Sequence, residues 1–185
     1  MKPPRFATAR QVFEAFPPAL EDIEAAPADT EPVAFVRALL DGQTPEDAVG
    51  FCAYLLPRRE AVWWASQCIR ALVQVSMASE QRLLELVETW VKTPEEVNRR
   101  AALAAAMDAE VKSPAAWTAF GVGWSGGSMT TDPERPVSPP NYLTAKAVRA
   151  AVLTALAGVP HAQRAQRFAE CVQRAIKLTD VNASG

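Results

Sequence analysis

Glycine is scarce in this chain, with 8 among 185 residues, and there are one histidine and three cysteines. Each shortage excludes something. Neither G-x-x-x-x-G-K nor G-x-G-x-x-G occurs, so no phosphate-cradling loop of those kinds is expected. A single histidine, His161, rules out a histidine-rich metal centre, and no carboxylate–histidine cluster has ligand spacing. No metal and no cofactor are therefore expected. Cys52, Cys68 and Cys171 are odd in number, widely spaced and set among apolar residues. They read as buried free thiols, which suits a reducing cytoplasm. No run approaches the roughly 20 apolar residues of a membrane span. The opening MKPPRFATARQVFEAF lacks the apolar segment of a secretory signal. The net charge is −2, which argues against binding driven by nucleic-acid phosphates. The expectation is a cytoplasmic protein without nucleic-acid or membrane partners.

Alanine and proline are abundant, 15 of the residues being proline. Alanine favours helix and proline punctuates between helices. Three helix starts are written as a hydroxyl residue before proline: Thr44-Pro45, Thr93-Pro94 and Ser113-Pro114. The hydroxyl can accept from an unpaired N–H of the first turn, and proline at the first helical position forfeits nothing. Asp47 and Glu96 fall at the third helical position, where Glu96 completes a capping box. The pattern predicts helices over 8–16, 32–41, 45–56, 58–77, 80–92, 94–110, 114–123, 143–157 and 160–178. No window alternates with period two, so no sheet is expected. The fold class is all-α: a single domain of about eight or nine helices in irregular antiparallel pairs.

The 58–77 helix is expected at the centre. Ala61, Val62, Ala65, Cys68, Ile69, Leu72, Val73, Ser76 and Met77 form a stripe wider than one face, which Trp63 and Trp64 extend. Residues 1–31 read as a short helix followed by an acidic, proline-bearing strap, and residues 32–185 as a helical domain with a long Pro/Gly loop at 125–142. Charge is uneven. Residues 1–50 carry 4 basic and 9 acidic groups, and residues 141–185 carry 6 basic and 2 acidic. The last helix sets Phe168, Val172, Ala175 and Ile176 on one side and Arg164, Arg167, Arg174 and Lys177 on the other. That basic side reads as a solvated face, or as a dock for an acidic partner or for the chain's own strap.

The segment GWSGG, Gly123 to Gly127, fits the G-x-S-x-G pattern of a hydrolase nucleophile elbow around Ser125. An elbow needs a strand leading in and a helix leading out. SPAAWTAFGV leads in as a capped helix, and a proline-rich loop leads out. A triad Ser125, Asp132, His161 can be written in hydrolase order. However, His161 opens a helix, where the positive dipole end disfavours the imidazolium a base must become. The preferred reading is a helix end: Trp117, Phe120 and Trp124 pack on the core, Gly126 and Gly127 supply positive φ, and Ser128 is polar loop. A serine hydrolase using Ser125 is the alternative.

The stretches AVWWASQCIRAL and AAWTAFGVGWSGGS, with the proline-rich loop ending near LTAKAVRAAVL, resemble an uncharacterised bacterial domain-of-unknown-function family associated with type VI secretion gene neighbourhoods. The resemblance covers roughly 40–178. It implies a bacterial cytoplasmic protein, an accessory or adaptor for secretion, and it carries no catalytic residues to transfer. The expected function is non-catalytic protein binding. The candidate contact region comprises Trp124, Ser125, Gly126, Gly127, Ser128 and Tyr142, since amphipathic rings on a rigid rim suit binding hot spots.

Overall fold

A computed structural model describes residues 4–184 apart from 76, 131 and 133, with the side chains of 180–184 left aside. Among the described residues there are ten α-helices and no strand, as the all-α reading requires. Contacts divide the chain into two compact units. The residues up to Pro57 and from Val159 onward form one, and Arg58–Gly158 form the other.

The first unit holds α1 (Ala9–Ala15), α2 (Ala19–Asp22), α3 (Pro32–Leu40), α4 (Pro45–Leu55) and α10 (His161–Ser184). α4 is buried along its whole length from Asp47 to Leu55 and packs against α2, α3 and α10. Its Phe51 meets Phe13 and Phe35 at ring separations of 5.7 and 4.9 Å, and its Tyr54 meets Phe16 at 5.6 Å. Phe168, Cys171, Val172, Ala175 and Ile176 of α10 are buried, while Arg174 and Lys177 face solvent.

The 17–31 strap follows the surface of this unit. α2, four residues long, interrupts it where no periodic signal announces a helix. The buried carboxylate of Asp47 accepts from the N–H groups of Glu24 and Ala25 at 3.1 and 3.0 Å. Tyr54 donates its hydroxyl to Asp22. Ala9 and Arg10 donate backbone N–H groups to Thr30 and Ala28, and Arg10 pairs with Asp29. Glu31 then caps α3, accepting from Val33 and Ala34. Ahead of α1, Arg5 donates to the carbonyls of Tyr54, Leu55 and Leu56 at the end of α4.

The second unit holds α5 (Arg58–Leu72), α6 (Ala78–Lys92), α7 (Glu96–Asp108), α8 (Pro114–Gly123) and α9 (Leu143–Ala157). α5 packs against α6, α8 and α9, and α8 packs against these neighbours and α7, so α5 shares the central place with α8. Small residues make α8 central. Ala115, Ala116, Ala119, Gly121 and Gly123 are buried, and a Cβ at Gly121 would lie 3.3 Å from Val148 Cγ2 of α9. α5 stops at Leu72, five residues before the sequence expectation. Val73 closes the last turn onto Ile69, and the chain leaves the helix in a segment of β-branched Val73 and Val75. Met77 is 65% exposed and off the apolar stripe, and Ser76 lies outside the described residues.

Of the three hydroxyl–proline starts, Ser113 alone caps as expected, accepting from Ala116 N–H at 3.1 Å. Thr44 turns its hydroxyl toward Asp47, whose carboxylate the strap has recruited. Thr93 does not start a helix. Its carbonyl is taken by Glu95 N–H and Asn98 Nδ2, and α7 begins at Glu96. Glu96 makes no capping box, because it pairs with Arg99 and Arg100. All three cysteines are buried and none is in a disulfide. Burial, and then the neighbouring Cys171, push the Cys52 thiol pKa upward.

Candidate functional site

The GWSGGS segment lies entirely in the second unit and is organised by an arginine. α7 carries Arg99 on the inward face it shares with Ala102, Leu103 and Ala106, and the side chain is 4% exposed. A guanidinium buried there needs acceptors on every edge. Glu96, one turn back, supplies two carboxylate contacts of 2.7 Å. The carbonyls of Gly123 and Ser128 supply the others, the latter at 3.2 Å. The Arg99 hydrogen bonds, with a lesser part from Arg100, hold the Glu96 carboxyl at a pKa of about 2.

The loop wraps this guanidinium. α8 ends as Trp124 N–H donates to Phe120 and Val122, and Ser125 N–H donates to Val122. Gly127 alone among the described residues takes positive φ, at 61°; Gly126 does not, contrary to the sequence expectation. Gly127 is the residue that turns the chain back over Arg99, whereas Gly126 faces open space. Ser128 is buried rather than a loose polar residue. Its hydroxyl accepts from Thr130 N–H and Val137 N–H, both at 3.1 Å, and Met129 N–H donates to Val137 O. Thr130 in turn donates to Arg135 O at 2.9 Å. Arg58, at the start of α5, donates to Ser125 O at 2.7 Å and to Asn141 O at 3.4 Å. One guanidinium thus ties the two ends of the 125–142 loop, next to Trp124 and Tyr142.

The lead-in to Ser125 is helix, as expected, and Ser125 Oγ donates to Val122 O at 2.7 Å. That bond closes a helix end. The unit that holds Ser125 contains no histidine; His161 opens α10 in the other unit and is exposed. Among the described residues no group of three or more His, Cys, Asp or Glu could hold a metal ion, and no helix is long and apolar enough to cross a membrane.

The outward side of α8 carries Trp117, Phe120 and Trp124, all half-buried, at one-turn spacing. The rings run in a row, with centroids 5.8 and 4.9 Å apart, and Lys112 Nζ stands 5.2 Å over Phe120. The sequence reading packed these three rings on the core, whereas they are only half-buried, because alanine and glycine fill the inward face of α8. It singled out the loop but missed Arg99 and Arg58, which position it. The signal for Arg99 was present: an arginine falls at i−3, i−4 and i−7 to Ala102, Leu103 and Ala106, on the apolar side of EVNRRAALAAAMD. Arg58, exposed at the start of its helix, offers no comparable signal.

A sequence profile described as a family of unknown function (DUF6931) matches residues 35–179. No curated protein and no solved structure matches the chain.

Proposed function

We propose, from the premise that the chain belongs to the family of unknown function DUF6931, that it is a non-catalytic protein-binding adaptor or chaperone-like accessory of a bacterial cytoplasm, serving a type VI secretion apparatus. The contact surface is the aromatic row of α8 together with the rim of the braced loop. One observation carries this reading: Trp117, Phe120 and Trp124 stand half-exposed in a row of tilted rings, on a helix whose end is locked by a buried arginine. Rigid aromatic rings that keep part of their surface in water give large contact area at small entropic cost on binding. The loop hydroxyls support the same reading, since Ser125 and Ser128 both serve internal hydrogen bonds. The secretion link and the cytoplasmic setting rest on the resemblance of the AVWWASQCIRAL and WSGGS stretches and on buried cysteines that form no disulfide.

The test is a partner recovered by affinity purification from source cells and then titrated against purified protein. Trp117→Ala combined with Trp124→Ala should weaken that binding about tenfold or more, while Arg174→Ala on the other unit leaves it unchanged. Unaltered affinity in the aromatic double variant refutes the surface. Labelling by a fluorophosphonate probe that disappears in Ser125→Ala would reinstate the hydrolase alternative.

A further inference from the structure

Among the described residues, the outward face of α7 leaves small and apolar side chains in water beside charged ones. Val97 is 67% and Met107 51% exposed, and Ala101 and Ala104 lie exposed between them. Just past the helix Val111 is 71% exposed. The opposite face, Arg99, Ala102, Leu103 and Ala106, is buried against α6 and α8. A two-turn run of small and apolar side chains left in water is a liability unless something covers it.

The charges on this face say what does. Arg100 lies four residues before Ala104 and Asp108 four residues after it, both exposed. The three positions form one i±4 ridge. When two helices pack with their i±4 ridges interdigitated, a ridge can run beside an antiparallel copy of itself. About a two-fold axis at Ala104, Arg100 of each copy then meets Asp108 of the other, and the alanines let the backbones approach closely. Such self-complementarity is what a two-fold interface requires, because the same patch serves both sides. Arg100 contacts Glu96 of its own helix at 2.8 Å, an exposed contact that leaves the rest of the guanidinium available. We infer that a second copy of this chain covers α7, forming an antiparallel two-fold dimer centred on Ala104 and registered by the Arg100–Asp108 pairs.

The inference is independent of the proposed partner surface on α8. A single helix face is small for an interface, so the dimer is a weak, concentration-dependent one. The full chain is examined by sedimentation velocity over a concentration series, as wild type, Arg100→Asp, Asp108→Arg and the double reversal. Circular dichroism and melting curves confirm that each exposed substitution leaves the fold intact. The expected result is reversible dimerisation of the wild type, weakened about tenfold in Kd by either single reversal because like charges then face each other. The double reversal restores it, since opposite charges meet again. A wild type that stays monomeric up to millimolar concentration overturns the proposal. So does a dimer indifferent to both single reversals, or one that the double reversal fails to restore. Loss of a different protein's binding in the α7 variants of a monomeric chain likewise assigns the face to another occupant.

Discussion

Gly127 sits against the guanidinium of Arg99 so closely that a Cβ on the glycine would lie 2.6 Å from Nη2. The next residue back, Gly126, would meet nothing within 4 Å. The two glycines of one motif therefore answer to different constraints. Gly127→Ala combines a φ of 61° with a clash against a buried, fully engaged side chain. It should destabilise the protein by about 1–3 kcal/mol. Gly126→Ala should fall within roughly 0.5 kcal/mol of wild type. Thermal melts of the two variants side by side check this, and equal losses would contradict it.

Arg99→Met keeps the length of the apolar stem and removes every hydrogen bond of the guanidinium. The carbonyls of Gly123 and Ser128 then lose their donor, and Glu96 loses a partner. The expected cost is about 2–4 kcal/mol. The loop should suffer before the helices do, so proteolysis within 125–142 should accelerate under conditions in which far-UV circular dichroism is unchanged. Resistance of the loop in this variant would show that Arg58 alone is sufficient to hold it.

Glu96 predicts a limb of acid instability. Its pKa falls from 4.5 in the free side chain to about 2 in the folded protein. A depressed carboxylate contributes stability that is complete above the unfolded value and drains away as pH falls through the window from 4.5 to 2. Glu96 is half-exposed, so solvent screens part of the effect. Glu96→Gln should cost about 1–2 kcal/mol at neutral pH, mainly by leaving buried Arg99 short of an acceptor. It should also flatten the pH dependence of urea unfolding between those limits. A wild-type slope there identical to the variant's would remove Glu96 from the account.

These outcomes depend on features the sequence exposes unequally. The helices 114–123 and 143–157 can be read to their end residues, because Ser113-Pro114 and Gly158 mark them and alanine-rich stretches fill them. The Thr93-Pro94 start could not be read correctly. Whether a threonine caps depends on where Glu96 goes, and that is decided by Arg99 reaching a carbonyl 24 residues away. The strap is a similar case. Asp47 looks like a first-turn acid meeting a helix dipole, yet it serves backbone N–H groups more than 20 residues earlier. Local signals failed where a charged side chain had a distant partner, and the Arg99 case is the one that holds the candidate site together.

Asp47→Ala should release the strap. It leaves the N–H groups of Glu24 and Ala25 without their acceptor, at a cost of about 1–3 kcal/mol. Limited proteolysis should then cut within 23–28, while Phe13, Phe35 and Phe51 keep α1 docked. Deleting residues 1–31 altogether goes further, since it uncovers Phe35, Phe51 and Tyr54, and should yield aggregated protein. A soluble, cooperatively melting deletion variant would mean that these residues are a separable peptide rather than part of the first unit.

Ser125→Ala separates the two readings of GWSGG. The Oγ donates to a carbonyl of the preceding turn and the residue is half-buried, so its loss should cost no more than about 1 kcal/mol. Arg58 holds Ser125 through the backbone carbonyl, which the substitution retains. The loop should therefore keep its form, and partner binding through Trp117 and Trp124 should persist. A nucleophile behaves otherwise: its removal abolishes turnover while leaving stability untouched. A melting curve and a binding isotherm on this one variant thus suffice. Unchanged affinity with a small loss of stability fits a helix end, and loss of an esterase activity present in the wild type would fit only an enzyme.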